Sequence, residues 1–221
     1  MCDFIIRLAT FADTPFLVDA IVESEKSGTD VFSYSTVLGI SECEARKYID
    51  SMLQEEIDGC ELSVSSFMVA VKDGHLIAAV AAWIEGLEGI PSSILKGNLL
   101  NYFLPKECIE KAMGLNEIVK ELYIEFIPKT IHIGIVYVPN EYRGLGLSRI
   151  LIEAQIKRLR LINPSVSQSC LHVFGCNNAA IKSYEKLGFK TTKESHSSKR
   201  DVLDYFPSGS KLLMKRQLKN D

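Results

Sequence analysis

The chain has 221 residues, 47% hydrophobic and 24% charged, enough for one sizeable core and at the upper edge of single-domain length. Its 25 basic and 28 acidic residues leave a formal net charge of -3, which gives no electrostatic reason to expect a nucleic acid or an anionic membrane as partner. The six cysteines (Cys2, Cys43, Cys60, Cys108, Cys170, Cys176) form no C-x-x-C pair and no His cluster keeps zinc-like spacing, so they read as reduced thiols without a metal. No basic start with a following apolar run marks a signal peptide and no run approaches a membrane span, so the expectation is a cytoplasmic protein.

In chain order, Phe4 to Leu8 reads as a strand. Thr10 and Asp13 are able to cap a helix carrying Phe16, Leu17, Ala20 and Ile21. Ser41 to Glu44 is a capping box that opens an amphipathic helix over about 41–57. Phe67–Val71 and Leu76–Ile84 read as a hairpin turned by Asp73-Gly74. The glycines and prolines of residues 86–121 chop that segment, which reads as an insertion with one or two short helices. Ile131–Val138 is apolar on both faces, as a central strand should be, with only His132 and Gly134 interrupting it. A helix follows to Asn163, then a strand at Cys170–Phe174, a helix at Asn178–Leu187 stopped by Gly188, a strand from Phe189 and a last strand at Lys211–Leu218. No linker divides two cores, so residues 1–221 are expected to form one domain with a helical insertion at about 86–121.

Between Val138-Pro139 and the helix near Leu147 lies Arg143-Gly144-Leu145-Gly146-Leu147-Ser148. Glycines there allow close backbone approach, the helix start adds about half a positive charge, and Arg143 and Arg149 can add side-chain charge. The turn therefore reads as a phosphate or pyrophosphate site. It lacks the lysine and hydroxyl of a P-loop, and it lacks the third glycine and the later acidic residue of the dinucleotide pattern.

Val136-Tyr137-Val138-Pro139, followed by Arg143-Gly144-Leu145-Gly146, resembles the GNAT superfamily of acyl-CoA-dependent N-acyltransferases, with Ser148 where that family usually has Gly or Ala. Asn177, Ala180, Tyr184, Gly188 and Phe189 resemble its second signature in register. The resemblance covers residues 132–189 and implies an α/β fold of the α+β type, whose mixed, mostly antiparallel sheet of six or seven strands is splayed between Ile131–Val138 and Cys170–Phe174. It further implies N-acetyl transfer from acetyl-CoA to a primary amine of a small molecule or peptide. The pyrophosphate would rest on Arg143, Gly144, Leu145, Gly146, Leu147, Ser148 and Arg149, and the pantetheine arm and thioester on backbone groups of Val136, Tyr137 and Val138. Asn177 would contact the coenzyme or cap its helix, and Tyr184 would donate a hydrogen bond to the departing sulfur.

A tyrosine near ~10 and a thiol near ~8.5 make full proton transfer uphill by roughly 2 kcal/mol, which favours the hydrogen bond. An alkylamine is protonated at neutral pH and needs a base. His132 is the first candidate, placed by strand alternation on the face of Val138, and Glu125 the second. The carboxylates Glu85, Glu88 and Glu125 could attract a cationic acceptor. Two other readings stay open: a non-catalytic acyl-CoA-binding regulatory module and a protein N-terminal acetyltransferase. The oligomeric state is also open, a homodimer included.

Overall fold

The computed structural model describes residues 4–55 and 57–218. Seven strands form one sheet: β1 (Ile5–Leu8), β2 (Phe67–Lys72), β3 (His75–Ile84), β4 (Ile131–Tyr137), β5 (Gln168–Phe174), β6 (Lys190–His196) and β7 (Ser210–Gln217), in the order β1-β2-β3-β4-β5-β7-β6. Every neighbouring pair is antiparallel except β4 and β5. The helices are α1 (Thr14–Lys26), α2 (Ser33–Leu38), α3 (Glu42–Leu53), α4 (Ser92–Phe103), α5 (Lys106–Gly114), α6 (Asn116–Leu122), α7 (Leu147–Ile162), α8 (Asn178–Lys186) and α9 (Val202–Tyr205).

Local chemistry explains most boundaries. Asp73 and Gly74 both take positive φ, 49° and 80°, which matches the right-handed twist of the β2–β3 hairpin. Ser41 and Glu44 exchange the two bonds of a capping box, Glu44 N–H to Ser41 Oγ at 3.2 Å and Ser41 N–H to Glu44 Oε2 at 2.9 Å. The helix they open ends at Leu53, short of the expected 57. Asp13 does not cap α1. Its carboxylate turns back to Arg7, at 2.6 and 2.8 Å, and to the Thr10 amide at 2.8 Å.

The insertion holds three helices rather than one or two. Pro91 and Pro105 stand at the N-caps of α4 and α5 and start helices instead of breaking them, because the amide that proline lacks has no partner in a first turn anyway. The short α2 and α9 are further helices that the sequence does not predict.

Alternation along β3 serves two cores. Ala79 and Ala81 pack with α1, α3 and the insertion, while Ala78, Val80 and Ala82 pack with α7. Alanine keeps this strand thin enough for helices to approach both faces. Gln155 of α7 anchors one of them by donating to the carbonyls of Ser66 at 2.8 Å and Val80 at 2.9 Å. Among the described residues no helix is long and apolar enough to cross a membrane.

Candidate active site

β4 and β5 pair only through Ile131–Ser169, His132–Cys170 and Ile133–Leu171, although both strands run on, to Tyr137 and Phe174. The sheet therefore opens where the ladder stops. At the same level β4 carries a bulge: Ile133 faces Ala82 and Ile135 faces Ala81, so Gly134 has no partner on β3. A Cβ at Gly134 would lie 2.5 and 2.6 Å from the Trp83 ring, so glycine is what lets that ring pack across the strand.

The extra residue also reverses the alternation of side chains. Ile131 and Ile133 join the core under α7, whereas Ile135 and Tyr137 join the opposite core and Val136 and Val138 the first again. The expectation that His132 shares a face with Val138 is thereby corrected. His132 lies on the face of Ile135 and Tyr137.

Beyond the end of β4, Gly144 and Gly146 take φ of 82° and 75°, in the left-handed region that other residues enter at a cost. Six successive amides, from Gly144 to Arg149, have no hydrogen-bond acceptor among the described residues, and no atom lies within 4 Å of where a Cβ on either glycine would sit. This is an open cradle of N–H donors at the start of a 16-residue helix, a fit for a pyrophosphate. Arg143 Nε donates to the Val138 carbonyl at 3.1 Å and so braces the turn. Arg149 is exposed, Ser148 half-buried and Leu147 anchored in the core, while Leu145 stands exposed at the tip.

Asn177 caps α8, its Oδ1 accepting from the Ala180 amide at 3.2 Å. Tyr184, two turns along, packs edge-on to Phe189 at 6.2 Å between centroids, and burial pushes its phenol above the ordinary tyrosine range. Asn177, Tyr184, His132 and the end of β5 all border one cavity of about 660 Å³. Its floor is the opening between β4 and β5, and α2, α4, α5 and α6 supply much of the rest of its wall. The size suits a small ligand. The Val136 amide points to Ser24 Oγ, another cavity-wall group, at 3.5 Å, a bond long enough to leave that N–H largely available.

The two proposed bases stand differently. His132 is buried, with Trp83, Phe126 and His172 rings at 5.0, 4.5 and 4.9 Å and Cys170 Sγ at 3.5 Å from Nδ1. That burial brings its pKa down to about 3. Glu125 is exposed in the segment before β4 and is not in the cavity wall, although its neighbours Tyr123 and Phe126 are. The carboxylates expected to attract a cation do not gather either. Glu88 is exposed, and Glu85 is buried with its oxygens taken by Trp83 Nε1 at 2.8 Å, the Ser92 amide at 2.9 Å and the Ser92 hydroxyl at 2.6 Å. Glu85 holds the insertion to the sheet.

Sequence reasoning missed Ser24, Glu25, Tyr34, Glu61, Lys96 and Lys211, which supply the polar cavity wall from five separate stretches of chain. No motif links them.

A profile of the acetyltransferase (GNAT) family matches residues 37–189, more than half of the chain. The chain belongs to this family. Solved structures share the fold at low identity. An N-acetyltransferase from Staphylococcus aureus Mu50 is 14% identical with TM-score 0.67, over 96% of this chain and 99% of that one. The PaiA N-acetyltransferase from Thermoplasma acidophilum, solved with coenzyme A, is 16% identical with TM-score 0.53, over 97% and 99%. The ribosomal-protein-alanine N-acetyltransferase from Brucella melitensis is 16% identical with TM-score 0.51, over 97% and 99%. No curated protein matches the chain in sequence. Membership in the GNAT family supports acyl transfer from an acyl-CoA donor, and the sheet, mostly antiparallel and opened at β4–β5, is its fold.

Proposed function

We propose that this protein is an N-acetyltransferase that moves an acetyl group from acetyl-CoA to a primary amine of a small molecule or peptide. The observation that carries the reading is a cavity that meets the parted strands. β4 and β5 separate beyond Ile133–Leu171, Tyr184 borders the cavity that their residues line, and the amide cradle at Gly144–Arg149 follows β4 in the chain.

When bound, acetyl-CoA supplies an activated thioester. The amine nitrogen bonds to the acyl carbon as the carbon–sulfur bond breaks, and a proton that the amine loses passes through solvent to the thiolate to give coenzyme A; the chain's own groups bind and polarise the reactants. The amides of residues 144–149 and the dipole of α7 hold the pyrophosphate. The lightly held Val136 N–H stabilises negative charge on the acyl oxygen, a contribution worth roughly 3 to 4 kcal/mol in comparable acyl-transfer sites. Tyr184, whose phenol is held protonated by burial, donates a hydrogen bond to the departing sulfur rather than surrendering its proton. His132 is a poor base: accepting a proton from an alkylammonium near ~10.4 onto a group at about 3 is uphill by roughly 10 kcal/mol.

The roof formed by α4, α5 and α6 favours a small acceptor over a folded protein's N-terminus. Incubation with labelled acetyl-CoA and a panel of small amines and short peptides tests the reading. Labelled amide product supports it. Calorimetric binding of coenzyme A with no transfer to any amine would sink it in favour of a regulatory acyl-CoA-binding module.

A further inference from the structure

The cavity that receives the acceptor carries four charged side chains, and two of them are already spent on each other. Lys96 Nζ lies 2.7 Å from Glu61 Oε1 and 4.9 Å from the Tyr34 ring centroid. Lys211 of β7 is different. It borders the same cavity, and among the described residues no carboxylate lies within 4.0 Å of its ammonium. The Phe174 ring lies 5.4 Å from Nζ and offsets desolvation only in part, and Glu25, beyond 4.0 Å, is the strongest influence that keeps the ammonium charged. Burial lowers its pKa, and Lys96 acts in the same direction, while Glu25 and Glu61 oppose it.

Two further polar atoms in the wall lack a well-formed hydrogen bond among the described residues. They are Tyr34 Oη, which Lys96 influences, and His172 Nε2, whose role depends on its tautomer. Buried polar atoms normally find a partner, so these two point to a polar guest. The free anion of the cavity is Glu25, near the end of α1. Ser33 Oγ donates to its Oε2 at 3.0 Å, and its Oε1 has no donor among the described residues. A cation and an anion that feel each other across the cavity without an ion-pair contact complement a guest carrying both signs.

We propose that the acceptor is a primary amine that also bears a carboxylate, an amino acid or a short peptide, with Lys211 binding the carboxylate and Glu25 the ammonium. This rests on the acetyltransferase reading for the acceptor's fate and on the cavity alone for its charge. The carboxylate could belong to a free amino acid or to a peptide's carboxy-terminus.

The test is calorimetric titration of the coenzyme A-loaded protein with pairs that differ only in the carboxylate: lysine against cadaverine, phenylalanine against phenethylamine, alanine against ethylamine. Acetylation of each is measured in parallel. The wild type should bind the carboxylate member of each pair about 10- to 100-fold more tightly. Lys211→Met should abolish that preference and, by removing an unpaired charge, leave the unliganded protein at least as stable to heat. Lys211→Glu should reverse the preference toward cadaverine. The tighter binder of alanine and alanyl-alanine identifies the source of the carboxylate. Equal or weaker binding of the carboxylate members, or a preference that survives Lys211→Met, overturns the proposal. If the preference holds and no amine is acetylated, the acetyltransferase reading fails and the charge assignment of the cavity stands for a bound ligand rather than an acceptor. Acetylation without the preference has the opposite meaning.

Discussion

His132 is surrounded by Trp83, Phe126 and His172, and those rings decide what its imidazole can do. With a folded pKa of about 3, it is neutral throughout the working range of most enzymes. The pH profile of kcat/KM should accordingly show no inflection near 6.5 that His132→Gln removes; such an inflection would restore His132 as the base. The same burial links to stability. The folded pKa lies below the unfolded value, so as pH falls from about 6.5 the unfolded chain takes up a proton the folded one refuses, and stability declines toward pH 3. Denaturation midpoints from pH 7 to 4 should show that decline, reduced in His132→Gln. At the residue scale the glycine turn and the helix that carries Tyr184 were legible as structure, because both belong to motifs with fixed spacing. The polar cavity wall stayed illegible, because Ser24, Glu61 and Lys211 meet only through the fold.

Gly134 connects residue to element. A strand glycine is a general signal for a bulge, and here the bulge sits where the β4–β5 ladder stops and sets His132 and Val138 on opposite faces. Reading the strand as regular put His132 on the wrong side. Gly134→Ala would force a methyl against the Trp83 ring, at a cost of about 1 to 3 kcal/mol. Denaturation should find that loss, and the fluorescence of Trp83, the chain's one tryptophan, should shift with it. An unchanged midpoint would mean the bulge relaxes freely. The strands, the β2–β3 hairpin and α7 were legible from apolar runs and turn chemistry. The three insertion helices were not fully legible, since Pro91 and Pro105 punctuate a sequence equally well as breakers and as helix starts. Helix α2 is built from Ser-Tyr-Ser-Thr-Val-Leu, in which all but the leucine are weak helix formers, and tertiary packing holds it in place.

At the scale of the molecule, the sheet opens between β4 and β5, a turn of free amides follows β4, and a walled cavity borders both strands. Ligand binding at the turn should stabilise the whole fold by mass action. Coenzyme A at 100 times its Kd adds about 2.7 kcal/mol, a rise in Tm of roughly 5 to 10 °C for a chain of this size. Gly146→Val should erase most of that rise, because a β-branched residue resists the left-handed conformation that opens the cradle. A full shift in that variant would move the pyrophosphate elsewhere.

Whether the phenol of Tyr184 faces a reacting thioester in this opening is decided by Tyr184→Phe, with kcat for acetyl transfer and Kd for coenzyme A measured on the same preparation. The substitution should lower kcat about 100-fold with Kd nearly unchanged. Turnover equal to that of the wild-type protein would contradict it.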